Sequence, residues 1–233
     1  MKILAVNTAT PSCGVAVVDE DTVSAYFGLN SRTTHARQLL PLIDETLKAC
    51  RLTIADLDGF AAVRGPGSFT GLRIGISTVK GLALACDRPL VGVSSLDALA
   101  FPLGGYSDPI CVMIDARKNE VYACWYRYIN NNLEKLTDET VMRPEKAVTR
   151  KNGACLFVGT GAQVYRDLIQ KNTNGRARFA PSFQNDINPE VVAHLAIRRF
   201  RENQTASPDD FAPVYIRPPD AVAARPAVPV DNR

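Results

Sequence analysis

Three groups of residues in this chain have the types and spacing that chemistry would need. The first, Arg64-Gly65-Pro66-Gly67-Ser68-Phe69-Thr70-Gly71-Leu72-Arg73, lies between the apolar run 60–63 and a long apolar helical pattern. Glycines on both sides of a proline allow positive φ around a fixed φ, as a sharp strand-to-helix reversal requires, and Ser68 or Thr70 can cap the helix. A turn of this kind can hold phosphate on backbone amides. It lacks, however, the Gly-Lys-Ser/Thr ending of a P-loop and the Gly-x-Gly-x-x-Gly spacing of a dinucleotide turn. The second group is Asp115, near the end of the apolar run 110–116. The third is Gly159-Thr160-Gly161, which could pass close to an adenosine or serve as an ordinary turn. Other chemistries find little support. Ser68 does not sit in a Gly-x-Ser-x-Gly elbow, no spacing singles out a carboxylate pair among Asp97, Asp115 and Glu120, and the two histidines, His35 and His194, lack a partner at i+4.

Those residues need strands and helices to hold them. Runs 3–9, 14–19 and 23–29 read as a three-strand meander, followed by a helix over 33–50 with Pro41 early in it. A buried strand over 59–63, the glycine turn, a helix over 72–86 and a strand over 89–93 complete the first half. The second half repeats the opening with β-rich runs 110–116, 121–129 and 133–142. A strand over 156–161, a helix over 162–170 and a helix over 189–200 follow, the last capped by Asn188 with Pro189 at its first position. The fold class expected is α/β, two ribonuclease-H-like halves in the two-lobed actin/Hsp70-like ATPase (ASKHA) arrangement, with degraded nucleotide motifs. The domains expected are 1–103 and 104–210, with 211–217 returning to the first lobe and 218–233 a disordered proline-rich tail.

Composition sets limits. The 233 residues are 46% hydrophobic and carry a net charge of +3, enough for a substantial core and too little charge to mark a dedicated RNA binder. The nearest thing to a basic stripe, Arg198-Arg199-Phe200-Arg201, reads as a solvated helix end. Six cysteines without a Cys-x-x-Cys pair read as buried thiols. With no charged leader, cleavage site or bilayer-length apolar run, the expected location is cytoplasmic.

Several stretches together resemble the TsaB (YeaZ) family, which takes part in forming threonylcarbamoyladenosine (t6A) in tRNA. They are Ile3-Leu4-Ala5-Val6-Asn7-Thr8-Ala9-Thr10, residues 35–43, the Gly65–Gly75 block, Gly92-Val93-Ser94-Ser95-Leu96 and Ile114-Asp115-Ala116-Arg117, with a further match over 213–217. The resemblance implies a noncatalytic scaffold for a TsaD-type transferase subunit acting with a TsaE-type ATPase on adenosine 37 of tRNAs reading ANN codons. It also implies a homodimer when the chain is alone, and contact with tRNA only indirectly. Asn7 stands where the family usually has an aspartate, and a neutral amide anchors a cation poorly. The metal-binding histidine pair of TsaD would fall on Ser95 and Leu99. No resident cofactor is expected, with ATP or ADP possible only inside the complex and Asp115, Gly159 and Gly161 as weak candidates to touch it.

The helix after the glycine turn suggests where a partner could sit. Gly71, Gly75, Thr78, Gly81 and Ala85 make a small face, and an internal glycine costs about 1 kcal/mol relative to alanine. Either this face packs closely on its own sheet or a partner helix approaches it. The expected interface comprises His35, Leu39, Ile43, Leu47, Gly71, Arg73, Gly75, Ile76, Thr78 and Lys80. The other readings open at this stage are an ATPase or kinase of the actin/hexokinase superfamily using Asp115 and the Gly159 turn, and a homodimeric regulator of protein turnover.

Overall fold

Continuous apolar runs build the central strands of two sheets, buried on both faces. In the computed structural model, which describes residues 1–20, 22–30, 34–148 and 153–217, the first half contains β1 (Lys2–Asn7), β2 (Ser12–Asp19), β3 (Thr22–Asn30), α1 (His35–Ala49), β4 (Gly59–Gly65), α2 (Phe69–Cys86), β5 (Leu90–Ser94) and α3 (Ser95–Ala100). The second contains β6 (Ile110–Asp115), β7 (Val121–Ile129), β8 (Asn132–Lys135), β9 (Thr140–Met142), α4 (Pro144–Ala147), β10 (Cys155–Val158), α5 (Thr160–Val164), α6 (Arg166–Asn172), β11 (Ala177–Phe179) and α7 (Pro189–Arg201).

The sheet orders are β3-β2-β1-β4-β5 and β8-β7-β6-β10-β11, one topology used twice. In the first sheet β1 is antiparallel to β2 and parallel to β4; in the second, which carries β9 as a sixth strand on β7, β6 is antiparallel to β7 and parallel to β10. This is the two-lobed actin/Hsp70-like arrangement that the sequence repeat led us to expect.

Side chains on successive strand residues point to opposite faces, and the core follows that period. Ile3 and Ala5 of β1 face inward with α3 and α7, whereas Leu4 and Val6 face outward beneath α1 and α2. On β6, Ile110, Val112 and Ile114 join the same inner core, and Cys111 and Met113 face α4, α5 and α6. Helix α7 packs on β1, β2, β4 and β5. It lies inside the range 104–210 expected for the second lobe, yet it belongs with the first sheet, because Val192, Ala193, Ala196 and Ile197 bury against that sheet's inner face.

Other boundaries also moved. The run 133–142 is two strands, β8 and β9, paired to opposite ends of β7. The helix expected over 162–170 is α5 and α6, broken at Tyr165 (φ −103°, ψ 25°). The short elements α3, α4 and β11 gave no periodic signal, being only six, four and three residues long. The proline-rich tail 218–233 lies outside the described residues. Among the described helices, only α2 has the length and apolar composition to cross a bilayer; its stripe Leu72, Ile76, Val79 and Ala83 is buried within the fold.

Candidate functional site

The two strand-end hairpins, after β1 and after β6, are each tied to distant parts of the chain. Asn7 ends β1 with no exposed surface. Its Nδ2 donates to Thr10 Oγ1 (3.3 Å), Ser12 Oγ (3.4 Å) and the Ile187 carbonyl (3.1 Å), and its Oδ1 accepts from the Ala9 amide (3.0 Å). The amide is spent on closing the β1–β2 turn and tying it to the loop that precedes α7. An amide oxygen already accepting a backbone N–H has little left for a cation, which adds to the weakness expected of a neutral group.

The second hairpin is filled differently. Asp115 is half-buried; its Oδ1 accepts from the Arg117 amide (3.0 Å), and its own amide donates to Thr160 Oγ1 (3.1 Å). Arg117, Lys118 and Asn119 all take left-handed conformations, with φ of 59°, 53° and 56°. From the far end of the described chain, Arg217 pairs with Glu120 (2.7 Å) and donates to the Ala116 carbonyl (2.9 Å).

Thr160 brings the Gly159–Gly161 turn beside Asp115, as the nucleotide reading would require. The glycines themselves have a nearer cause. Gly159 has φ 99°, and a Cβ there would overlap the Met113 carbonyl oxygen; one on Gly161 would lie 3.0 Å from Val121 Cγ1. Both let α5 sit directly on β6. Ser95 and Leu99, at the positions of the expected histidine pair, are buried in α3. Among the described residues no cluster of three His, Cys, Asp or Glu side chains is arranged to hold a metal.

The glycine turn after β4 is also built for internal approach. Gly65 has φ 121° and a Cβ there would lie 2.6 Å from the Val214 carbonyl oxygen. Gly67 is not in positive φ; it is needed because Ala9 O would lie 2.5 Å from its Cβ. Of the two proposed caps, Ser68 is used, accepting from the Gly71 amide at 3.2 Å. The expected small face of α2 divides. Cβ atoms on Gly71 and Gly75 would overlap Thr8, whose hydroxyl donates to the Gly71 carbonyl at 2.7 Å, so these two glycines pack on the end of β1. Gly81 has nothing within 4 Å of that position.

The interface residues sort in the same way. Ile43, Leu47 and Ile76 are buried in the outer core beneath α1 and α2, so the expectation that they frame a partner contact is corrected, whereas Leu39, equally buried, also lines the groove between the two helices. They are the stripe that fixes both helices to the sheet. His35 pins the head of α1 to the first hairpin through Nε2 and the Thr10 carbonyl (3.0 Å). Arg73 lies over the Phe69 ring (3.9 Å) and donates to the Tyr215 hydroxyl (3.1 Å). Thr78 back-bonds to Ile74, and Lys80 is half-buried.

What reaches the surface is an open groove between α1 and α2, about 320 Å³, lined by Ala36, Leu39, Leu40, Arg73, Ile74, Ser77 and Thr78. Leu40 is 56% exposed. The sequence left Leu39 and Leu40 as alternatives for the apolar stripe of α1, and Ile74 lay off the stripe of α2. A large apolar residue off that stripe was the available cue.

Comparison with known proteins follows this geometry. Residues 29–225 match the family model described as TsaD, tRNA N6-adenosine threonylcarbamoyltransferase. The chain is 34% identical to the tRNA threonylcarbamoyladenosine biosynthesis protein TsaB of Escherichia coli K12, over 93% of this chain and 95% of that protein. It is 30% identical to the TsaB protein of Bacillus subtilis 168, over 96% and 97%. Among solved structures, YeaZ from Pseudomonas aeruginosa superposes with a TM-score of 0.75 at 28% identity, covering 92% of this chain and 99% of that one. A likeness in fold alone extends to the ethanolamine utilization protein EutJ of Carboxydothermus hydrogenoformans, with a TM-score of 0.50 and 11% identity over 83% of this chain and 89% of that one.

Proposed function

Because this chain belongs to the TsaB family of tRNA threonylcarbamoyladenosine biosynthesis proteins, we propose that it is a noncatalytic scaffold for a TsaD-type subunit in t6A formation. The single observation carrying this reading is Asn7. The position that would organise metal and phosphate is a buried amide whose oxygen and nitrogen are both committed to the chain's own hairpin and to Ile187. The Arg217 contact at the second hairpin supports the same conclusion. A chain that cannot present a phosphate site contributes by holding a partner that can.

The surface we assign to that partner is the α1–α2 groove, with Leu40 and Ile74 as apolar contacts and Arg73 and Thr78 at its edge. The same face supports self-association when the chain is alone. The work then belongs to the TsaD-type subunit, with a TsaE-type ATPase supplying turnover and tRNAs reading ANN codons as substrates. Nucleotide enters only within that complex, and the setting is the cytoplasm.

The test is co-purification with the TsaD homologue of the same cell, then a t6A assay with and without this chain, using ATP, threonine, bicarbonate, tRNA and the remaining pathway proteins. A stable complex required for modification is expected. Full modification without the chain would overturn the reading, as would ATP turnover by the isolated chain that Asp115→Ala abolishes.

A further inference from the structure

The chain's charge is unevenly distributed. Between residues 143 and 178 there are eight Lys and Arg against two acids, Glu145 and Asp167, a surplus of six. The whole chain is only +3, so the remaining residues together carry −3. The stretch is scattered in sequence, with no more than two basic residues adjacent. Among the described residues, α4 packs against α6 over the outer face of the second sheet, which brings the elements carrying Arg143, Lys146, Arg166 and Lys171 together, with the acids Glu145 and Asp167 exposed on the same two helices.

Arg143 and Lys146 of the α4 turn, and Arg166 and Lys171 of α6, are all exposed on that layer. Arg176 folds back onto the end of α6, with its Nε donating to the Thr173 carbonyl at 3.2 Å. Arg178 is apart from this group, paired with Asp108 at 3.4 Å. A helix C-terminus accounts for a cation such as Lys171. It does not account for Arg166, which opens α6 at the end where a positive charge is unfavourable. Its guanidinium lies over the Phe179 ring at 4.1 Å, a contact that fixes the group while leaving its in-plane N–H donors available.

We propose that this α4–α6 face binds RNA phosphates, and that the RNA is the tRNA being modified. The electrostatics alone give a polyanion; its identity rests on the t6A reading above. The contact would be to the phosphate backbone. It therefore positions the tRNA and carries no sequence choice, which leaves recognition of adenosine 37 to the partner. On this view the chain has two working surfaces, an apolar groove on the first lobe and a basic face on the second, and tRNA touches it directly where the sequence suggested only indirect contact.

The test is tRNA binding by the full chain, alone and with its TsaD homologue, over a salt series. Wild type is compared with Arg143→Gln/Lys146→Gln/Arg166→Gln/Lys171→Gln and with a control, Arg51→Gln/Arg127→Gln/Arg198→Gln, that neutralises exposed cations elsewhere. Each phosphate contact contributes about 0.7–0.9 to the slope of log K against log salt, so the face variant is expected to lower the slope by about 3 and weaken binding by at least about tenfold. The control should stay within about threefold of wild type. Retained association with the TsaD homologue shows that the variant is folded. Equal loss in the control, an unchanged affinity in the face variant, or binding of polyglutamate but not tRNA would each overturn the proposal. If no TsaD complex forms at all, the scaffold reading fails, and tRNA binding by the chain alone still decides this one.

Discussion

The two lobes solve the same topological problem and finish it with different surfaces. Each turns out of the strand that lies parallel to its first, β4 or β10, on a glycine in positive φ, Gly65 at 121° and Gly159 at 99°. In each, a carbonyl oxygen occupies the space where a side chain would begin. After that turn the first lobe runs into an 18-residue helix and the second into one of 5 residues. The α-helix that precedes that strand has 15 residues in the first lobe and 4 in the second. The contrast separates what the fold demands from what it leaves free. Strand order and turn glycines are held by sterics in both lobes, whereas helix length differs, leaving an apolar groove between the two long helices of the first lobe.

The sharpest way to probe that division is at the glycines. Gly71→Ala would drive a Cβ into the Thr8 carbonyl, backbone against backbone, and is expected to cost about 3 kcal/mol or more, read as a large fall in melting temperature. Gly81→Ala, on the same helix with open space around it, should stabilise by about 0.5–1 kcal/mol through helix propensity. Equal effects would mean that the small face acts as one unit after all.

The hairpins give the next contrast. Asn7→Asp removes the donor to the buried Ile187 carbonyl and sets a carboxylate against it, an expected loss of about 2–3 kcal/mol in denaturant titrations at neutral pH. The loss should shrink toward acid pH, where a protonated carboxyl regains a donor. Asp115→Asn, in its half-buried site with an acceptor oxygen retained, should cost less than about 1 kcal/mol. A similar cost at both positions would show the second hairpin to be as tightly built as the first.

The smallest effect is expected at the tie from the chain's end. Arg217→Ala removes the Glu120 pair and the Ala116 contact, with both side chains partly exposed, and should cost about 1 kcal/mol. Hydrogen exchange should report faster opening at 116–120 with little change around Asn7. Equal loosening of both hairpins would mean that the tie holds the lobes jointly.

Much of this was readable in the chain. The short apolar, β-rich runs 3–9 and 110–116 placed β1 and β6, and the order meander, helix, strand, helix, strand marked the ribonuclease-H-like half. The turn 64–73 announced a strand-to-helix reversal, because glycine and proline act locally on φ. Helix period assigned Leu39, Ile43, Leu47 and Ile76 to one side of their helices. It read the stripe through Ile76 as core-facing yet left the core and a partner competing for these residues, since a stripe looks alike whether a sheet or a partner covers it.

The sequence by itself therefore determined the elements and their order, since these depend on residues within one strand or one turn of each other. Only the tertiary structure decided that Gly71 and Gly75 rest on Thr8, that α7 serves the first sheet, that Arg217 reaches the second hairpin, and that α4 packs against α6. Each of those facts joins residues tens of positions apart, and their distance is set by how the sheets stack rather than by any local preference of the chain.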